Sequence, residues 1–445
     1  MVPRLNHRYI VLTGLFLFLF FEWSWILLGR RANISRPPLP LPPALKTRHK
    51  NDIFDFPPVD SEAIRRICAH TEWNDDAIFT CDNSVGGIGN VQNSILNCVR
   101  FAIAAGGSLV VPRIIVRNSQ DISEIRTGQR TEMSYMFDRK HFVDSLALSC
   151  PGLRLYDTME SIPNRAAIGG PIPLQPEELQ ASSPRTGIPK PESWLSDFRA
   201  WLARETTGTS SGSRTTLVEL GRSYLIYPIY SDGTNFAHQF GNILKFRSDV
   251  RVLATTTFRR LLEEFKIEHD EENPSAIAEN AYFGAHLRTE KDAVEGWPAP
   301  DWVYSRYTTQ SAAYLNQMIA SNLSVIYVAS GNLTEVTRLA SDASPYNIRL
   351  TTKHELLPSA DLQQLKELAW DQQGLVDFLV MLKASDFAGI GHSSFAWSIA
   401  LKRHLSARRK DRKLHLEGPQ MLSDEFSQIY GMVGQYPEYA RCVWP

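Results

Sequence analysis

Neither charge predominates in this sequence. Across 445 residues, 47 Lys and Arg stand against 48 Asp and Glu, a formal net charge of -1, so no polyanion is expected as a partner and nucleic acid is set aside. Cysteine is scarce too: Cys68, Cys81, Cys98, Cys150 and Cys442 are the five present. No C-x-x-C or paired Cys/His spacing joins them, which removes the familiar zinc sites. They leave room for up to two disulfides, with Cys98 equally suited to a buried apolar place. Repeats of solenoid type are missing as well. The one basic run, residues 402–413 (KRHLSARRKDRK), has no aromatic residue within it and reads as a solvated helix face or loop.

What the sequence does have begins at its N-terminus. Arg4, His7 and Arg8 precede residues 9–28, YIVLTGLFLFLFFEWSWILL, whose twenty positions make a helix of about 30 Å, the hydrocarbon thickness of a bilayer. Glu22 lies near the far end, beside Trp23 and Trp25, where the interface is within its reach. No small-x-small cleavage site follows, so a retained anchor is preferred to a cleaved signal peptide. Basic residues flank both ends and leave the orientation open. A lumenal head is chosen on the sequons at Asn33, Asn322 and Asn332 and on the cysteines. The organisation expected is a cytoplasmic tail (1–8), an anchor (9–28), a Pro-rich stem (29–70), and two α/β domains (71–268 and 269–445), in an endoplasmic reticulum or Golgi membrane, single-pass and type II.

The first of those domains opens with SVGGIGN (84–90). After its glycines, Val91, Ile95, Cys98, Val99, Ala102 and Ile103 form the stripe of a helix burying one face. Gly106 and Gly107 stop that helix and SLVVP follows as a buried strand. The Pro, Gly and Ser-rich tracts 163–192 and 204–216 read as insertions. A second alternation of strands and helices runs through residues 282–403, so two Rossmann-like domains with a cleft between them are expected.

Three segments carry candidate chemistry. In GGIGN (86–90), Gly87 and Gly89 let a ligand approach backbone N–H groups at a helix start. In HLRTEKDA (286–293), His286 and Arg288 share a strand face, and the guanidinium fork suits a pair of phosphate oxygens. The plainer alternative pairs Arg288 with Glu290 or Asp292. In GIGHSSFAW (389–397), Ser393 and Ser394 begin a helix, and the same groups serve as a cap or as an anion site.

Together with VIYVASGN (325–332) and the block DQQGLVDFLVMLKASDFAGIGHSSFAWSIALKR (371–403), these motifs, in this order over most of residues 76–403, resemble the GDP-fucose protein O-fucosyltransferase-like glycosyltransferases. The resemblance implies a GT-B architecture and an inverting transfer from GDP-fucose, with no cofactor and no essential metal; no D-x-D motif of the metal-binding kind is present. It places His286 and Arg288 at the donor diphosphate, Asn90 near the β-phosphate and reacting carbon, and Ser393, Ser394 and Phe395 along phosphates and sugar. Some relatives carry a glutamate base in the glycine loop where this chain has Ile88, so Glu290 and Asp292 become the base candidates. The residue reading guanine is assigned to Asp386. Acceptors remain open between protein Ser/Thr, a glycan and a polysaccharide. Another GDP-sugar as donor and a lectin-like binder with the same fold are the rival readings.

Overall fold

Two five-stranded sheets, each parallel throughout, organise the chain. The computed structural model describes residues 52–118, 128–180, 187–207, 215–268, 277–296, 303–407, 422–432 and 436–445. The first sheet has the order β5-β2-β1-β7-β6, from β1 (Ala77–Thr80), β2 (Ser108–Val110), β5 (Leu155–Tyr156), β6 (Ile172–Leu174) and β7 (Thr216–Leu220). An antiparallel pair, β3 (Arg113–Ile115) with β4 (Arg130–Glu132), stands beside it. The second sheet, β10-β9-β8-β11-β12, comprises β8 (Phe283–His286), β9 (Val325–Ala329), β10 (Arg349–Thr351), β11 (Asp386–Ile390) and β12 (Ser427–Tyr430). Its middle strands read FGAH, VIYVA and DFAGI, almost wholly buried. Continuous rather than alternating apolar residues are what a sheet covered on both faces requires. Chain order reverses at β8, with β9 on one side and β11 on the other, so the tips of β8 and β11 frame a crevice of the kind that binds ligands.

The helices that matter are α1 (Glu62–His70), α2 (Ile88–Ala105), α3 (Ser248–Phe265), α4 (Tyr307–Ala320), α5 (Leu333–Ala343), α6 (Trp370–Leu382) and α7 (Ser394–His404). The stripe predicted for α2 is in place: Val91, Ile95, Val99, Ala102 and Ile103 are all fully buried. Gly106 ends the helix at φ 68°, the left-handed conformation that a side chain disfavours.

Packing revises the expected boundaries. The described part of the segment read as stem, from Asp52 onward, is folded. Ile53 and Phe54 enter the core, Asp52 and Asp55 pair with the buried Arg251 at 2.9 and 3.1 Å, and α1 is bonded to the body by the Cys68–Cys150 disulfide. Proline and charge made this stretch look solvated; its carboxylates serve cations far away in sequence. Residue 268 does fall between the strands of the two sheets, but packing runs across it. The apolar face of α3 is covered by α6, Phe246 meets Phe378 edge-on at 5.2 Å, and one hydrophobic cluster draws on both halves. The chain also returns at its end. Trp444 is buried against Tyr227, Phe236 and Phe240, its backbone N–H bonds Asn93 and its indole N–H bonds Asn97.

Smaller corrections follow the same logic. The tract 163–192 contributes β6, an edge strand that tolerates Pro173 because one side of its ladder is unpaired. Cys98 is a disulfide partner of Cys81, and Cys442 is free and buried. Arg403, from the basic run, is buried and donates to the carbonyls of Met381, Leu382 and Ala384, closing the C-terminal end of α6 rather than facing solvent. The tail, the anchor and the Asn33 sequon lie outside the described residues. Among the described residues no helix is long and apolar enough to cross a membrane.

Candidate functional site

A cleft of about 500 Å³ opens where the tips of β8 and β11 meet the start of α2. The glycine turn forms one wall. Gly87 occupies the N-cap position of α2 with no side chain capping the first turn, which leaves those N–H groups for a ligand. Gly89 explains the third glycine of the motif: a Cβ there would stand 2.6 Å from the carbonyl oxygen of Ser394. Bare backbone at both positions lets the start of α2 abut the start of α7, so two helix N-termini converge. Ser393 caps α7 by accepting from Ala396 N–H at 3.3 Å. Asn90 lines the cleft, and its buried Oδ1 has no protein partner.

The opposite wall is charged. Arg288 places Nη1 at 2.5 Å from Glu290 and Nη2 at 2.6 Å from Asp292. The alternative raised for this arginine is therefore realised, and the residue lines the cleft nonetheless. Glu290 also accepts from Gly331 N–H at 2.7 Å. Asp292 is shared with Arg117 at 3.2 Å, whose guanidinium lies over the Trp370 ring. Each base candidate thus orients a guanidinium, which commits its carboxylate to a structural task. His286 is buried, with its ring 4.6 Å from that of Phe395 and Nδ1 3.4 Å from the Ser393 hydroxyl. Burial, reinforced by the Arg288 charge, pushes its pKa down to about 3, so it is a neutral imidazole with one N–H to donate.

Asp386 does not belong to this site. It begins β11, roughly 13 Å of strand away from the tip, where it accepts from Gln317 and Ser321 at 2.7 Å each. From the neighbouring helix α6 two carboxylates do line the cleft, Asp371 and Asp377, the latter held by Lys353 and by the Tyr327 hydroxyl. Sequence reasoning passed over Asp377, although Gln373, Gly374 and Asp377 share one face of α6 and all line the cleft. Asp371 and Arg117 were also missed; the first sits at a helix start where acidic residues are ordinary, and the second follows an edge strand with no motif around it. Among the described residues no group of three or more His, Cys, Asp and Glu is placed to hold a metal ion.

The family model for GDP-fucose protein O-fucosyltransferase matches residues 78–406. The chain belongs to that family. It is accordingly a glycosyltransferase that takes its sugar from GDP-fucose. No curated protein matches it by sequence. Similar solved structures include POFUT1 in complex with GDP, 13% identical over 81% of this chain and 100% of that one, with a TM-score of 0.46. An Arabidopsis thaliana FUT1 variant with GDP is 12% identical over 77% and 72%, with a TM-score of 0.37. The fucosyltransferase NodZ from Bradyrhizobium is 12% identical over 74% and 92%, with a TM-score of 0.35.

Proposed function

We propose that this family member is a GT-B-type enzyme that transfers fucose with inversion, without an essential metal, to a hydroxyl of a lumenal protein or glycan. The observation that carries the reading is the convergence on one cleft of Arg288, the α7 start and the open N-terminus of α2. Transfer builds positive charge at the sugar C1 and negative charge on the departing diphosphate. Donors fixed before the reaction stabilise that charge without reorganising. Arg288 and the N–H groups of Ser394 and Phe395 would face the diphosphate, neutral His286 would donate to it, and the Asn90 amide would hold the sugar. Asp377, on the same cleft wall, is the carboxylate placed to accept from guanine in place of Asp386.

Titration of the full chain with GDP-fucose, GDP-mannose and UDP-sugars tests this. GDP compounds should bind and UDP-sugars should not, GDP-fucose should be slowly hydrolysed, and a chelator should change neither result. A chelator-sensitive preference for UDP-sugars would refute the proposal.

The lumenal placement, with the anchor at residues 9–28, has its own test. Asn322 is exposed in a left-handed turn after α4. Asn332 instead caps α5, and its amide nitrogen lies 3.3 Å from Thr289 O. Expression in a secretory host should therefore give glycosidase-sensitive mass at Asn322 and little at Asn332; an unmodified Asn322 would count against a lumenal head.

A further inference from the structure

We propose that Asp371 is the proton acceptor for the incoming hydroxyl, an assignment that rests on the donor reading above. The glycine turn supplies no carboxylate, because Ile88 presents only hydrocarbon to the cleft. The four acidic side chains lining the cleft differ in how they are held. Glu290, Asp292 and Asp377 each form an ion pair. Asp371 forms none among the described residues. Two hydrogen bonds reach one oxygen: the Tyr135 hydroxyl donates to Oδ1 at 2.7 Å and Gln372 N–H at 2.9 Å. Gln372 in turn donates to Tyr135 O at 2.7 Å, so the carboxylate is braced on one side and Oδ2 is left to a substrate.

Position agrees with that role. Asp371 lies in the first turn of α6, one turn before Gly374, and a Cβ at Gly374 would stand 3.1 Å from Ile88 Cδ1. The carboxylate therefore comes from the wall that touches the glycine turn, beside the end of the cleft where Asn90 would hold the sugar. In the step, the acceptor O–H proton passes to Oδ2, the acceptor oxygen bonds C1, and the C1–O bond to the β-phosphate breaks with its electron pair leaving on GDP. The groups facing Asp371 are Tyr135 and Arg117; Asp377 lies farther along the same helix, tied to Lys353. Burial raises its pKa above the ordinary carboxylate value, and the Tyr135 hydrogen bond and the Arg117 charge oppose that rise. The deprotonated form is the active one, so rate should climb with pH through the raised pKa.

Transfer from GDP-fucose to water reads this out with no acceptor in hand. Asp371→Asn should bind GDP within about 2-fold of the natural chain, hydrolyse GDP-fucose about 10²- to 10⁴-fold more slowly, and lose the ascending limb of the pH profile. Azide needs no deprotonation and should restore turnover, as fucosyl azide. In Tyr135→Phe, which keeps the base but removes a bond to its charged form, the limb should move to higher pH. Unchanged hydrolysis in Asp371→Asn, absence of azide rescue, or a Tyr135→Phe limb that stays or moves down would overturn the assignment. If the natural chain fails to bind GDP in a calorimetric titration, the donor reading itself has failed, an outcome distinct from any change in hydrolysis.

Discussion

Arg288→Ala should lower turnover of GDP-fucose by about 10²-fold or more, the effect of deleting one preorganised contact to developing charge. Two features of the site push the loss upward. The guanidinium separates Glu290 from Asp292, so its removal leaves two carboxylates facing the diphosphate, of which Arg117 still pairs with Asp292. The fork also touches both carboxylates at once, one through each Nη, which a lysine ammonium cannot reproduce. Arg288→Lys should therefore recover only a small part of the loss. Single-turnover hydrolysis of GDP-fucose and calorimetric titration with GDP check both statements. A variant that binds GDP as tightly as the natural chain would mean that the diphosphate lies elsewhere.

The largest effect on stability is expected at Trp444. Its ring is buried among Tyr227, Phe236 and Phe240, and truncation to alanine should cost about 3–5 kcal/mol, transfer and cavity together. Trp444→Phe separates the contributions. It keeps most of the buried area but strands Asn97 Oδ1, which the indole N–H now satisfies at 2.7 Å. A loss of about 1–3 kcal/mol is expected for that buried acceptor. Urea denaturation of the two variants should rank them in that order. Equal midpoints for Trp444→Phe and the natural chain would show that the Asn97 contact contributes nothing.

The sequence carried those parts of the fold that follow from local rules. The α2 stripe and its Gly106 stop are visible because burial of one helix face repeats every three to four residues and a left-handed cap favours glycine. The buried strands β8, β9 and β11 show as short apolar runs between turns for a similar reason. The convergence of GGIGN with Ser394 was legible only as three motifs in order; that Gly89 is required by the Ser394 carbonyl is a contact between residues 305 positions apart. Features set by distant partners could not be read. Asp52 and Asp55 look like solvated charges until Arg251 is seen beneath them. Asp386 sits within the block that carries the resemblance, yet a strand carries it to the wrong end of the sheet, while Asp377 reaches the cleft from a helix. For Arg288 the two readings posed as alternatives hold together, since the carboxylates that pair with it also fix its direction.

The folded part of the stem has a practical consequence for making a soluble form. Asp52 and Asp55 are the close carboxylates of Arg251, and Asp55 also holds Lys245 at 2.8 Å. Trimming the protein at residue 71, where composition suggests the head begins, would leave those two buried cations only Asp138, at 3.5 and 3.6 Å. The same cut discards Cys68 and leaves Cys150 as an unpaired thiol. A secreted version has to begin no later than Asp52.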